Sequence, residues 1–183
     1  MNYRFAPKED FSHYSSGRVI RSYVKLPAFP IRLASEIFQI CLELLKINGK
    51  NGPFTLYDPC CGGGYLLTTL GFLHQEYLGE IIGSDIEPEA VGLTEKNLSL
   101  LTQKGLEVRE KELEQLYENY QKESHQEALE SVTFLKEKIQ TEIQLTTFSA
   151  DAFSTAELKA ELEDKCVDLI IADIPYSRQT TWQ

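Results

Sequence analysis

Four short apolar runs in this chain each end at an aspartate or directly before one. The runs cover residues 54–58, 80–85, 145–150 and 167–172, and the aspartates are Asp58, Asp85, Asp151 and Asp173. Segments with helical patterning separate the runs, and this alternation predicts an α/β fold with a doubly wound parallel sheet. Ligands of such sheets bind outside the carboxyl ends of the strands. We therefore expect the four carboxylates to meet at one rim.

Four helices are predicted around these strands. They cover residues 31–47, 65–74, 88–101 and 154–164. The first has apolar residues at spacings of three and four and is stopped by Asn-Gly and Gly-Pro pairs. Ser154, with Glu157 three residues later, is typical of a capping box at the start of the last helix.

The stretch 102–143 differs from the rest of the chain. It is rich in Glu, Lys, Gln and Leu and has no proline. This composition predicts one or two long exposed helices inserted between the second and third strands. Their charged faces are expected to be solvated, and docking of a partner is the alternative.

The chain carries a formal net charge of −10, which argues against a nucleic-acid partner. The distribution softens that argument, because residues 1–32 hold six basic against two acidic side chains. With three prolines and no periodicity, residues 1–30 are interpreted as an extended basic arm. The alternative is a solvated terminus of chance composition.

Bulk features favour a cytoplasmic globular protein. No apolar run approaches the roughly 18 residues of a membrane span, and the first ten residues are too polar for a signal peptide. The adjacent Cys60 and Cys61 do not match the spacing of a zinc site or a redox pair, so no metal is predicted.

The first strand leads into a glycine loop directly after an acid. The loop reads Asp58-Pro-Cys-Cys-Gly-Gly-Gly64. A carboxylate at this position would repel a diphosphate, but it would attract the ammonium group of S-adenosyl-L-methionine. Asp85 is placed to accept protons from both ribose hydroxyls, and the loop at Asp151 faces the adenine edge. The predicted cofactor-binding residues are Asp58, Pro59, Cys60, Gly62, Gly64, Tyr65, Asp85, Ile86, Asp151 and Ala152.

The last motif is Asp173-Ile174-Pro175-Tyr176. It resembles the (Asp/Asn)-Pro-Pro-(Tyr/Phe) signature of enzymes that methylate nitrogen atoms of bases. Asp173 and the carbonyl of Ile174 would accept hydrogens of the target nitrogen and restore electron density to it, while Tyr176 would stack on the base. Ile174 replaces the first proline of the signature, so its carbonyl is held less rigidly. The alternative is an ordinary turn.

Beyond these motifs, the chain resembles the avilamycin-resistance ribosomal RNA methyltransferases of the AviRa type. The resemblance rests on the loop string from Asp58 through Thr68, on residues 27–38, and on the closing motif with Trp182. It implies a Rossmann-like class I methyltransferase fold and methyl transfer from S-adenosyl-L-methionine to a guanosine of 23S ribosomal RNA. Antibiotic resistance is implied only as a family trait.

The resemblance also suggests which residues contact RNA. The basic arm would bind phosphates and Trp182 would stack on the RNA. The predicted RNA-binding residues are Arg4, Arg18, Arg21, Lys25, Arg32 and Trp182.

Three other functions stay open at this point. A similar last motif serves methyltransferases that act on DNA or protein glutamine. A non-catalytic RNA-binding module could keep the fold, and an oxidoreductase could share it, although Asp58 before the loop argues against the latter. A complete fold of this class has seven strands, so we expect the C-terminal strands to be missing after residue 183. Cofactor binding is then expected to be weak and catalysis to be impaired.

Overall fold

The computed structural model describes residues 3–23 and 28–174. Within these ranges the chain forms a parallel sheet with the strand order β3-β2-β1-β4. The strands are β1 (Phe54–Asp58), β2 (Leu78–Asp85), β3 (Gln144–Ser149) and β4 (Leu169–Ile170). The predicted α/β fold class is confirmed.

Six α-helices lie within the described ranges. They are α1 (Ile31–Ile47), α2 (Tyr65–His74), α3 (Pro88–Leu98), α4 (Gln103–Tyr120), α5 (Glu123–Lys138) and α6 (Thr155–Leu162). Short 3-10 helices cover Ser12–Tyr14, Gln75–Tyr77 and Ser99–Leu101. The predicted helix 88–101 is thus α3 followed by a 3-10 turn. None of the described helices combines the length and the apolarity that crossing a bilayer requires.

The strand register aligns the carboxyl ends of the sheet. Asp58 at the end of β1 pairs with Gly83 of β2, and Asp85 at the end of β2 pairs with Ser149 of β3. β4 is shorter than the predicted run 167–172, because only Leu169 and Ile170 pair with β1. Backbone bonds from Asp168 to Thr55 and from Ile171 to Tyr57, both at 3.1 Å, nevertheless extend the contact beyond its ends.

Apolar side chains pack on both faces of the sheet. The larger cluster contains fully buried Phe38, Leu67 and Ile81. The smaller cluster contains Ile82 and Phe148 of the sheet, and side chains of α6 pack against them. Ile81 and Ile82 are neighbours on one strand and therefore point to opposite faces. This division is the packing expected of a doubly wound sheet.

The segment between α3 and β3 forms a pair of helices, α4 and α5, that pack against each other. Leu106 and Leu113 of α4 are buried, as are Val132 and Leu135 of α5. The predicted helices are therefore present, and each contributes one apolar face to the main cluster while its charged face is solvated.

Candidate functional site

The first described segment packs onto the body of the protein. Val19 and Ile20 are fully buried. The Glu36 carboxylate on α1 accepts hydrogen bonds from the backbone N–H groups of residues 4, 5 and 6, at 2.6 to 2.8 Å. Where the structure describes the predicted arm, it is therefore held by the core.

The loop between β1 and α2 needs glycine at two positions. Gly62 and Gly64 have φ values of 53° and 73°, which side chains with a Cβ rarely adopt. Gly64 is the N-cap of α2, and its N–H donates to the Cys61 carbonyl at 2.8 Å. The Cys61 N–H in turn donates to the carbonyl of Ser84 on β2, at 2.9 Å. These bonds curl the loop over the ends of β1 and β2.

Two of the predicted carboxylates hold this loop in shape. Asp58 is only 2% exposed, and its Oδ1 accepts the Cys60 N–H at 3.0 Å. Asp85 accepts the Gly62 N–H on Oδ2 at 2.9 Å and the Glu87 N–H on Oδ1 at 3.0 Å. Each Asp85 oxygen keeps a second lone pair for a ligand.

The third carboxylate lies in the turn after β3. Asp151 Oδ1 accepts the Phe153 N–H at 2.9 Å. Ser154 caps α6 by accepting the Glu157 N–H, at 3.4 Å. The Glu157 carboxylate does not return to Ser154, as a capping box requires, but accepts the Asp151 N–H at 2.9 Å. The Ala152 N–H is therefore the donor that this turn could offer to a ligand.

A shallow pocket, open to solvent, lies over the glycine loop. Asp58, the last residue of β1, and Asp173, three residues after β4, both line it. Cys60, Cys61, Gly63, Tyr65 and Leu66 supply its floor. Among the described residues that line it there is no lysine, arginine or histidine. The pocket is thus suited to a cationic group and unsuited to a phosphate.

Burial raises the pKa of the Asp58 carboxyl to about 7. The Cys60 N–H acts against this shift, and negative charge on Asp85 and Asp173 adds to it. Burial also raises the pKa of Asp173. The Cys60 thiol has its pKa raised to about 11, first by burial and then by Asp58, Asp85 and Asp151. The Cys60 thiol is therefore protonated at neutral pH. The aspartates lie close enough for their negative charges to raise the pKa of Asp58 and of Cys60.

Of the ten predicted cofactor residues, three line the pocket, and Asp85 is not among them. Asp58, Cys60 and Tyr65 line the pocket, and the Tyr65 hydroxyl donates to the Tyr14 carbonyl at 3.1 Å. Gly62 and Gly64 belong to the loop, and Ile86 follows Asp85 with 66% of its surface exposed. Pro59, Asp151 and Ala152 are half-buried and do not line the pocket themselves.

The predicted catalytic residues are described only in part. Asp173 lines the pocket, and Ile174 is 56% exposed. Pro175 and Tyr176 lie outside the described residues, as do Lys25 and Trp182 of the predicted RNA-binding set.

The other four predicted RNA-binding arginines contact groups of this chain. Arg18 pairs with Glu127 of α5 at 2.6 Å, and Arg21 pairs with Glu112 of α4 at 2.7 Å. Arg32 donates to the Ala6 carbonyl and stacks on the Tyr3 ring, while Arg4 lies over the Phe5 ring. These contacts disfavour phosphate binding by Arg18 and Arg21, and for all four arginines RNA contact stays a prediction.

Residues on the N-terminal side of α1 line the pocket without having been predicted. They are Ser16, Tyr23, Ala28 and Phe29, and we call them the N-terminal wall. Their segment has no periodicity, so hydrophobic patterning could not find it. The adjacent apolar pair Val19-Ile20 was the available sign that this segment is buried.

Comparison with known proteins relates this site to a family. The model of the AviRa rRNA methyltransferase family matches residues 1–183. The 23S rRNA (guanine(2535)-N(1))-methyltransferase of Streptomyces viridochromogenes is 40% identical over 185 residues, which is 99% of this chain and 73% of the relative. Two solved structures of the rRNA methyltransferase AviRa from the same organism have TM-scores of 0.89 and 0.90, at 40% identity, and the match covers 96% of this chain and 71% of theirs. The resemblance noted on the sequence is confirmed, and the chain belongs to the AviRa family of ribosomal RNA methyltransferases.

Proposed function

We propose that this chain transfers a methyl group from S-adenosyl-L-methionine to N1 of a guanosine in 23S ribosomal RNA. The observation that carries the proposal is the pocket that Asp58 and Asp173 share, in a chain of the AviRa family. The N1 position follows the name of the Streptomyces relative. The alternatives are methylation of DNA or protein glutamine, or RNA binding without catalysis.

The residues of the rim fit the proposed cofactor. Its ammonium group would lie by the buried carboxylate of Asp58, because opposite charges attract strongly where water is excluded. The two ribose hydroxyls would donate to the free lone pairs of Asp85. Ile86 and Phe153, which are 66% and 72% exposed, follow two of the rim aspartates and could cover the adenine faces. No basic side chain of the described lining opposes a cation.

Asp173 is the residue that we assign to the proton of the target base. Guanine N1 carries a hydrogen, and this proton must leave when N1 bonds to carbon. When bound, the cofactor would supply an electrophilic methyl group and keep the electron pair of its carbon–sulfur bond on sulfur. Asp173 would accept the N1 proton as the N1–C bond forms. The raised pKa of Asp173 makes its carboxylate a better proton acceptor than an ordinary aspartate. The Ile174 carbonyl would accept a hydrogen of the guanine amino group.

A methyl-transfer assay tests the proposal. The chain is incubated with tritiated S-adenosyl-L-methionine and, in parallel, with 23S RNA, 16S RNA or duplex DNA. We expect label on 23S RNA alone and a primer-extension stop at one guanosine, because N1 methylation blocks the pairing edge. Label on DNA or on protein instead would contradict the proposal. Cofactor binding without any transfer would favour the non-catalytic alternative.

Two variants separate chemistry from folding in this assay. Asp173→Ala should abolish transfer and leave cofactor affinity nearly unchanged. Asp164→Asn removes an exposed carboxylate that precedes β4 at the opposite end of the strand, so it should transfer like the unaltered chain. Retained turnover in Asp173→Ala would refute the role assigned to Asp173.

A further inference from the structure

The carboxamide of Asn97 on α3 joins two separate parts of the pocket. It is completely buried. Its Oδ1 accepts the Arg21 N–H at 2.8 Å, and its Nδ2 donates to the Arg21 carbonyl at 2.9 Å and to the Gly63 carbonyl at 2.8 Å. One side chain thus binds the glycine loop and, between Ser16 and Tyr23, the segment of the N-terminal wall at the same time. Neither an acid nor a hydroxyl can make all three bonds.

The two parts that Asn97 joins are in close contact beside it. Tyr23, two residues after Arg21, lines the pocket, and its hydroxyl donates to Glu87 at 2.8 Å. A Cβ built on Gly63 would lie 2.8 Å from the Cβ of Tyr23. The wall and the loop therefore have no room to shift towards each other, and Asn97 prevents them from separating.

Helix α3 also holds the peptide between Gly62 and Gly63 in the glycine loop. Thr94, one turn before Asn97, donates its hydroxyl to the Gly62 carbonyl at 2.8 Å. The C=O and N–H of a trans peptide point in opposite directions, so this bond turns the Gly63 N–H to the other side of the loop. Within the described ranges that N–H has no hydrogen-bond partner. α3 thus fixes the loop in a conformation that leaves a donor available at the edge of the pocket.

Helix α4 also binds the segment that Asn97 holds. Arg109 donates to the carbonyls of Val19 and Arg18, at 3.0 and 3.4 Å. Glu112 accepts from both Arg109 and Arg21. The backbone just before the Asn97 contact and the side chain of Arg21 are therefore tied to α4.

We propose that Asn97 is a positioning residue of the cofactor pocket, holding the N-terminal wall against the glycine loop so that both meet the ligand together. The inference rests on the proposed function, because it concerns the same pocket. Asn97 touches neither the ligand nor the reacting atoms. It acts through Arg21 and Gly63, so its loss should weaken binding more than chemistry.

The test is Asn97→Asp, which keeps the shape of the side chain. The new oxygen replaces Nδ2 and faces two carbonyl oxygens, so the wall and the loop lose their shared donor. We expect the Kd for S-adenosyl-L-methionine, measured by calorimetry, to rise about tenfold or more. We expect kcat at saturating cofactor to stay within about threefold of the unaltered value, because Asp173 is untouched.

Gln75 offers a matched control at the other end of the sheet. It is 8% exposed, and its amide bridges backbone groups in the same manner: Nε2 donates to the Lys138 carbonyl, and Oε1 accepts the Gln140 N–H at 2.7 Å. Gln75→Glu removes the same kind of buried donor far from the pocket. It should lower stability comparably and leave the Kd within about twofold. An equal loss of affinity in both variants would overturn the positioning role.

A measurement on the unaltered chain covers the case in which Asn97→Asp does not fold. Cofactor should slow hydrogen exchange of the Arg21 amide, which donates to Asn97, and leave the Gln140 amide, which donates to Gln75, unaffected. Absence of protection at Arg21 in a chain that binds the cofactor would refute the inference and leave the proposed function standing. Failure of the unaltered chain to bind the cofactor would overturn both.

Discussion

The buried carboxyl of Asp58, which we propose to hold the ammonium group of the cofactor, should make cofactor binding depend on pH. Its pKa is about 7, because it is buried and because Asp85 and Asp173 add negative charge. At pH 7 about half of the free protein therefore carries a protonated Asp58. An ammonium group binds the ionised form, so the ligand must lower this pKa and release a proton.

The pKa of Asp58 sets the size and the sign of the change in cofactor affinity with pH. Below pH 7 the ionised fraction of Asp58 falls, so affinity should weaken about fifteenfold between pH 7 and pH 5.5. Binding should release about 0.9 proton at pH 6 and about 0.5 at pH 7. Above about pH 8 the ligand's own amino group loses its proton, so the comparison is confined to lower pH.

Calorimetry at pH 5.5, 6 and 7 measures both quantities. Repeating each titration in two buffers with different ionisation enthalpies gives the number of protons released. Asp58→Asn keeps an acceptor for the Cys60 N–H and cannot titrate, so it should bind weakly at every pH with no proton release. A Kd that is constant between pH 5.5 and 7, with heats that do not depend on the buffer, would refute the assignment of Asp58 to the ammonium group.

The remaining predictions concern stability and the neighbouring acid. Because burial raises the pKa of Asp58 from 3.8 to about 7, its contribution to stability is full below pH 4 and is lost as pH rises through 7. Urea denaturation should therefore show Asp58→Asn more stable than the unaltered chain at pH 8, by at most about 4 kcal/mol, with the difference shrinking towards pH 5; equal curves at both pH values would contradict this. Asp85→Ala should weaken cofactor binding by about 1–3 kcal/mol in calorimetry, and an unchanged Kd would remove Asp85 from the site. Gly105→Ala should lower the free energy of unfolding, because its Cβ would lie 1.9 Å from the Ser99 carbonyl oxygen. Gly92→Ala, with open space around it, should raise the free energy of unfolding by about 0.5–1 kcal/mol. Unchanged stability of Gly105→Ala would show that the 3-10 helix Ser99–Leu101 can shift away from the new methyl group.

Local signals predicted the elements that turn residues delimit. Helix α1 was predicted at residues 31–47 and β1 at 54–58, and both were found there, since Asn-Gly and Gly-Pro pairs stop the helix before the strand begins. The strand ends were equally well marked by Asp58 and Asp85. β4 was predicted too long, because an apolar run does not reveal how many of its residues pair with a neighbouring strand.

The part of the site that the sequence concealed depends on distant contacts. Tyr23 faces the pocket because Asn97 holds Arg21, 76 positions away along the chain. A segment without regular structure leaves no periodic pattern, so its place in the fold is decided by such tertiary bonds. Similarly, charge composition predicted exposed helices with solvated charged faces, and it did not reveal that Leu106 and Leu113 of α4 are buried in the core.

The ties of Arg18 and Arg21 to α3, α4 and α5 also set an order of events during translation. Their partners Asn97, Glu112 and Glu127 lie 76, 91 and 109 positions later in the chain. At about 5–20 residues per second, the ribosome reaches the first of these partners roughly 4–15 s after it has made the arginines. The backbone N–H groups of residues 4–6 can therefore reach Glu36 of α1 early in synthesis, whereas Arg18 and Arg21 gain their partners only after β2 has been made.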